Sequence, residues 1–330
     1  MLCAGLLVGV FAQAVAAATE SGALPSVDAA HPAAHAAYDD RWGHARAGAN
    51  AHLDPATLPG RLADPTLRDL WISGIAAERE ERLIESAAIY EQIAAQVPEE
   101  SDTCWRIARN YWRVGESLPV DDKEGRILYF ELAESWAGRG LALDPDCAPC
   151  MLWKFVSMGR QATTRGLLSA VRDVREMDAL LTRGIDLEPD QQDETGNTTL
   201  GNLYYAGAVF YRVIPESWWL RLFVGVRGDK DRSLDYARRA VEISSIRVDY
   251  RVELGAVLLC LGASRGDPAR IAEGMSVLRE ARTLDDYLGT DSLDKAHATT
   301  LIGNPQMACG YSRDGFIDIE SLQDQARAQQ

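Results

Sequence analysis

The chain has 330 residues, 34 of them basic and 49 acidic, for a formal net charge of -15. With 47% hydrophobic and 25% charged side chains it has the balance of a folded globular protein, which excludes a polytopic membrane protein, a collagen-like chain and a wholly disordered one. The excess of acid argues against nucleic acid and anionic membrane surfaces as partners, because phosphate-backbone binding needs cationic side chains that release counterions.

Residues 1 to 18 carry no charge, and the apolar stretch Leu6 to Ala12 is followed by small residues ending Ala16-Ala17-Ala18. This has the form of a secretory leader with its cleavage site, predicting an exported or periplasmic product that begins near Thr19. The basic n-region is missing, which is compatible with a start codon upstream. The stretch is shorter than the roughly 20 apolar residues of a spanning helix, so no transmembrane segment is expected in the mature chain. Cys3 precedes the apolar run and therefore cannot serve as a lipid-attachment cysteine. Residues 19–65 are rich in Ala, His and Pro, lack a sustained period and predict a flexible linker. His31, His35, His44 and His52 fall here, but Pro32 separates the first two and no cysteine is near, so no metal site is expected.

From about residue 66 to 290, apolar residues recur at i, i+3, i+4 and i+7 without alternating strand runs, which predicts an all-α fold. Two segments nearly coincide: Gly140-Leu-Ala-Leu-Asp-Pro145 and Gly184-Ile-Asp-Leu-Glu-Pro189, offset by 44 residues. Each closes an amphipathic helix with an acidic residue and a proline that cannot continue it. Weaker copies run from Ile93 to Pro98, Ala240 to Ile243 and Ala281 to Leu284.

The pattern resembles the tetratricopeptide repeat, a 34-residue helix-turn-helix unit with small residues where its helices cross. The first unit matches with Gly74, Ala77, Ser86, Tyr90 and Pro98; the second with Trp105, Tyr111, Ala133, Ala137 and Pro145. The fourth carries Leu200, Gly201, Tyr204, Ser233, Ala237 and Ala240, and the fifth Leu254, Gly255, Leu258, Gly274, Leu278 and Ala281. Spacings between matched positions exceed 34 by about 13, 10, 20 and 7 residues, as in degenerate repeats with lengthened turns or helices. Five such hairpins are expected to stack into a curved solenoid, because one helix pair cannot bury its apolar face alone. Residues 291–330 lack a closing repeat motif and predict a capping helix with a polar tail.

Nucleotide-binding, zinc-protease and serine-hydrolase motifs are all missing, so a non-enzymatic chain without cofactor or metal is expected. Cys147-Ala-Pro-Cys150 lies at the start of the third pair. A structural disulfide, silent thiols and a redox-active pair all remain open for it, although a thioredoxin-like site would need a strand before the motif. In the fourth pair an aromatic insertion stands out: Tyr204, Tyr205, Phe210 and Tyr211 precede a stretch with Trp218, Trp219, Arg221, Phe223 and Arg227. That much apolar area between repeat helices either folds back as core or lines a binding groove. As a site, Tyr204, Tyr205, Tyr211, Trp218, Trp219 and Phe223 would supply the contacts, with Arg221 and Arg227 meeting a carboxylate or an acidic partner. Asp229 or Asp231 is the expected cap of the helix that follows.

The order of these features resembles the T-component (TatT-like) family of TRAP transporters, carried by Leu200-Gly201-x-x-Tyr204-Tyr205, the aromatic insertion, Gly228-Asp229, and Ser233, Tyr236 and Ala240. That resemblance implies a periplasmic helical-repeat protein with a ligand-sized cavity that docks a solute-binding protein. A more distant likeness is to the regulator of microtubule dynamics family, which shares the helical-repeat plan. A general interaction scaffold of the envelope is the alternative, and a thiol-disulfide oxidoreductase through Cys147 and Cys150 the third reading.

Overall fold

The computed structural model describes residues 64–166, 173–192, 197–216 and 225–316. Residues 1–63, which hold the expected leader and almost all of the expected linker, residues beyond 316, and Trp218, Trp219, Arg221 and Phe223 lie outside the described residues. Eleven α-helices are described: α1 (Pro65–Arg79), α2 (Leu83–Gln96), α3 (Ser101–Ser117), α4 (Lys123–Leu143), α5 (Ala148–Arg165), α6 (Val174–Asp186), α7 (Thr199–Val213), α8 (Lys230–Ile243), α9 (Val248–Arg265), α10 (Pro268–Ala281) and α11 (Asp291–Gly303). A 3-10 stretch, Pro305–Gly310, and a small hairpin of β1 (Tyr311–Ser312) and β2 (Gly315–Phe316) follow.

Local chemistry sets many of the helix starts. Asp64 accepts from the Thr66 amide at 2.7 Å with Pro65 at the first helical position of α1. Asp122, Thr198 and Asp229 each accept, at 3.0 Å, from the amide three residues on, opening α4, α7 and α8. Asp229 is thus the cap that the sequence offers alongside Asp231, and each such bond satisfies a donor that the helix leaves orphaned.

The helices pair as the repeat predicts, α1 with α2 through α9 with α10, and each packs on its neighbours in sequence. In the first pair Ser86 Oγ donates to the Gly74 carbonyl at 2.8 Å, and in the fourth Ser233 Oγ donates to Ala208 at 2.6 Å. A small residue on one helix uncovers the backbone carbonyl, and a small hydroxyl on the other reaches it. The two copies of the Gly-x-x-Leu motif have a common cause too. A Cβ on Gly140 would lie 2.5 Å from Cys150 Sγ, and one on Gly184 would lie 3.1 Å from the Leu203 methyls. Both glycines therefore mark where the second helix of one pair crosses the first helix of the next.

First helices also touch across units, α3 with α5, α5 with α7 and α7 with α9, forming one continuous inner row. The fold is therefore an all-α stack of degenerate tetratricopeptide-like helix pairs. Buried apolar side chains run along the stack, from Leu67–Ala137 in the first two pairs to Val248–Ala308 around the fifth pair and α11. No described helix is long and apolar enough to cross a membrane.

Beyond α11 the chain does not stay on the end of the stack. Pro305–Gly310 packs on α9, α11 and α7, and the hairpin that follows continues along the inner row to Arg160 of α5 and reaches Arg126 of the adjoining α4.

Candidate functional site

The inner row carries charge where a repeat core would carry apolar residues. Arg212 on α7 is 1% exposed and uses all five guanidinium N–H donors. Nε and Nη2 donate to the Glu253 carboxylate on α9 at 2.7 and 2.9 Å. Nη1 donates to the Ala308 and Cys309 carbonyls at 2.9 and 3.0 Å, and Nη2 also donates to the Tyr311 carbonyl at 3.0 Å. Burial pushes the Glu253 carboxyl above its ordinary range, opposed by the Arg212 charge. One buried cation thus grips three backbone carbonyls of the C-terminal segment.

A second grip lies farther along the row. Two residues, Arg313 and Asp314, form the tip between β1 and β2, given the Ser312–Gly315 register. Asp314 accepts from Arg126 at 3.1 and 3.2 Å and from Arg160 of α5 at 2.7 Å. Glu116 at the end of α3 accepts from Arg160 and, at 3.4 Å, from Arg126. Partial burial would raise the Asp314 carboxyl, but the two guanidiniums outweigh it and hold the group below the usual aspartate range. Arg313 donates to Asp294 of α11 at 3.0 Å, and burial lifts the Asp294 carboxyl despite that cation.

Between the two grips, Tyr311 is 4% exposed, with the Arg212 guanidinium 5.5 Å from its ring centroid and its hydroxyl 3.2 Å from His297 Nδ1. A disulfide joins Cys309 to Cys260 of α9. The segment from 305 to 316 is therefore held covalently, by a buried cation on its carbonyls and by two arginines on its carboxylate.

The sequence-selected aromatics divide between two faces of α7. Tyr204 and Tyr211, seven residues and nearly two turns apart, share one face. Both meet Tyr236 of α8, at centroid distances of 5.3 and 5.9 Å. Tyr211 is 2% exposed; its hydroxyl donates to Asp178 of α6, and the Arg232 guanidinium lies 4.4 Å from its ring centroid. Tyr205 and Arg212, also seven apart, share the inner face, where Tyr205 stacks on Tyr250 at 5.3 Å. Desolvation pushes the Tyr205 and Tyr211 hydroxyls far above the ordinary tyrosine value. Arg227 is exposed on the connection into α8. An open cavity of about 400 Å³ lies on α6, lined by Asp178, Thr182, Arg183 and Asp186 among others.

Cys147 and Cys150 are joined by a disulfide at the start of α5, 6% and 0% exposed, within a helix-pair junction and without a preceding strand. The free thiol of Cys104 is buried beside them, and burial pushes it up to about 11. Low-pKa, accessible thiolate chemistry has no support there.

Sequence reasoning passed over Arg126, Arg160, Arg212, Glu253 and Asp314. The available signal was a charge inside an otherwise apolar stretch, as Arg212 is between Tyr211 and Val213, but one sequence does not distinguish a buried ion pair from a solvated face.

These features define a protein built from tandem helix pairs whose inner row holds the chain's own residues 305–316. Residues 73–212 match the profile of the family described as Regulator of microtubule dynamics protein 1-3. The match runs from α1 to α7, less than half of the chain, and falls to the likeness that was the more distant of the two by motif. A thermophilic TPR protein of Thermus thermophilus is similar in structure, with a TM-score of 0.49 and 11% identity, over 71% of this chain and 100% of that one. No curated protein matches the chain.

Proposed function

We propose that the protein is a non-enzymatic interaction scaffold of the cell envelope that recognises polypeptide segments on the inner row of its helix pairs. The observation that carries the reading is the grip of Arg212 on the carbonyls of Ala308, Cys309 and Tyr311, since carbonyls are offered by any polypeptide. Two disulfides, Cys147–Cys150 and Cys260–Cys309, support an oxidising compartment, in keeping with the leader-like residues 1–18. Microtubules, in the name of the matching family, are not the partner in this reading.

The finer reading is that the partner is a solute-binding protein of a TRAP-type uptake system, docked through Tyr204 and the Trp218–Phe223 stretch, with Tyr211 left in the core. The other form of this reading is an apolar organic or carboxylate ligand held by the same aromatic stretch in place of a protein.

The test is to crosslink the purified chain from Thr19 to Gln330 in an envelope extract, beside a Trp218→Ala/Trp219→Ala variant. Capture of a solute-binding protein by the native chain alone supports the docking reading. Equal capture of other envelope proteins by both forms supports the general scaffold and removes the aromatic site. A chain that captures nothing at stoichiometric level, with its disulfides either intact or reduced, refutes the scaffold.

A further inference from the structure

The inner row is occupied, and its occupant is the chain's own C-terminal segment. Its fastenings differ in kind. The Arg212 contacts reach backbone carbonyls, which encode no sequence. At the tip, Asp314 lies between Arg126 and Arg160, while Arg313 meets Asp294, so opposite charges on adjacent residues are read by opposite charges on the stack. Tyr311, three residues before Asp314, fills the space between Arg212 and His297. The seat thus reads an aromatic residue followed by a tight turn with a basic and an acidic residue at its tip.

We propose that residues 304–316 are an internal ligand, latched by the Cys260–Cys309 disulfide, and that reducing this bond opens the seat to a partner polypeptide presenting the same aromatic and Arg-Asp turn. The inference rests on the scaffold reading and adds its regulation and the chemistry of its ligand.

The latch matters because of mass action. A ligand tethered through Gly303 and again through Cys309, two residues before Tyr311, is held at a higher effective concentration than one tethered through Gly303 alone, which a partner displaces more readily. Cys260 is 1% exposed, but Cys309 is partly exposed, so a reductant has its approach from the segment's side. A dithiol supplies the chemistry. Its thiolate attacks Cys309 Sγ and releases Cys260 as a thiolate, which takes up a proton; the second thiol of the reductant then displaces Cys309. Two electrons and two protons pass to the protein, giving two thiols, and the reductant leaves as a disulfide. Afterwards only the charge and carbonyl contacts hold the segment, and a partner can offer both.

The experiment uses the full chain from Thr19 to Gln330, oxidised, and a Cys260→Ser/Cys309→Ser variant in which Cys147–Cys150 stays intact. The probe is a fluorescent synthetic peptide of residues 304–316 with Cys309→Ser, and a second peptide that also carries Asp314→Asn. Fluorescence anisotropy should show saturable binding to the unlatched variant and at least about tenfold weaker binding to the oxidised native chain, with the Asn peptide weaker by about tenfold as a charge-assisted contact is lost. Equal binding to both chains, no binding to an unlatched chain of native helicity, or equal binding of the two peptides overturns the proposal. So does dimerisation of the unlatched chain without peptide binding, which would give the seat to a second copy. If the variant loses helicity, hydrogen exchange on the native chain decides: a dithiol should speed exchange in 305–316 at least about tenfold and leave α3 unchanged, and unchanged exchange in 305–316 refutes the latch. Partner capture that is the same with and without the disulfide removes the latch and leaves the scaffold standing. Latch-dependent peptide binding without any envelope partner does the reverse.

Discussion

Replacing Glu253 with Gln removes one charge at nearly constant volume and tests whether Arg212–Glu253 acts as a closed buried pair. The two side chains are 0% and 1% exposed, so water cannot take over the role of the missing carboxylate. Gln still accepts from one guanidinium N–H but turns an amide N–H₂ toward the other. The cation is left uncompensated, which costs about 3–5 kcal/mol, and the retained bond places the expected loss near the lower end, about 3 kcal/mol. Arg212→Met exposes the same deficit from the other side and also strips three carbonyls of their donor. The double variant Arg212→Met/Glu253→Gln has no uncompensated charge, so its loss should fall short of the sum of the single losses by about 2–3 kcal/mol. In a stacked-pair protein this loss is local, so native-state hydrogen exchange is the suitable assay. Exchange in α9 and in residues 305–311 should accelerate roughly 100-fold or more for Glu253→Gln, while α1 to α3 stay unchanged. Single effects that add to within about 0.5 kcal/mol would refute the closed pair.

Further expectations follow from other contacts. Gly138 and Gly140 lie two residues apart in α4, but a Cβ meets nothing at the first and Cys150 Sγ at 2.5 Å at the second. Denaturant unfolding should therefore show Gly138→Ala stabilising by about 0.5–1 kcal/mol and Gly140→Ala destabilising by about 1–3 kcal/mol. Tyr211→Phe removes the hydroxyl that donates to Asp178 and should cost about 1.5–3 kcal/mol, read from unfolding monitored by tyrosine and tryptophan fluorescence. Burial holds His297 below the ordinary histidine value, its largest effect, against the pull of Asp294. Its contribution to stability is then present above the unfolded value of about 6.5 and is lost as pH falls through the window below it. Proteolysis of the native chain within 305–316 should increase between pH 7 and pH 5, and His297→Gln should flatten that part of the profile.

The helix pairs were legible in the sequence because they are set by short-range physics. Period, caps such as Asp229, and small residues such as Gly140 and Gly184 act within a helix or between neighbours, and each leaves a local mark. The chemistry of the inner row leaves none. Arg126 meets Asp314 across 188 residues of sequence and Arg212 meets Tyr311 across 99, at spacings unrelated to the repeat. Polar residues such as Arg313 and Asp314 also look solvated in a sequence, since the partners that compensate their burial lie on other helices. By itself, then, the sequence determined the stack of helix pairs and where its helices cross closely. Only the tertiary structure decided that the segment after Gly303 turns inward, that Tyr205 and Tyr211 face opposite environments, and that buried charges line the inner row, because each depends on groups brought together only when the pairs stack.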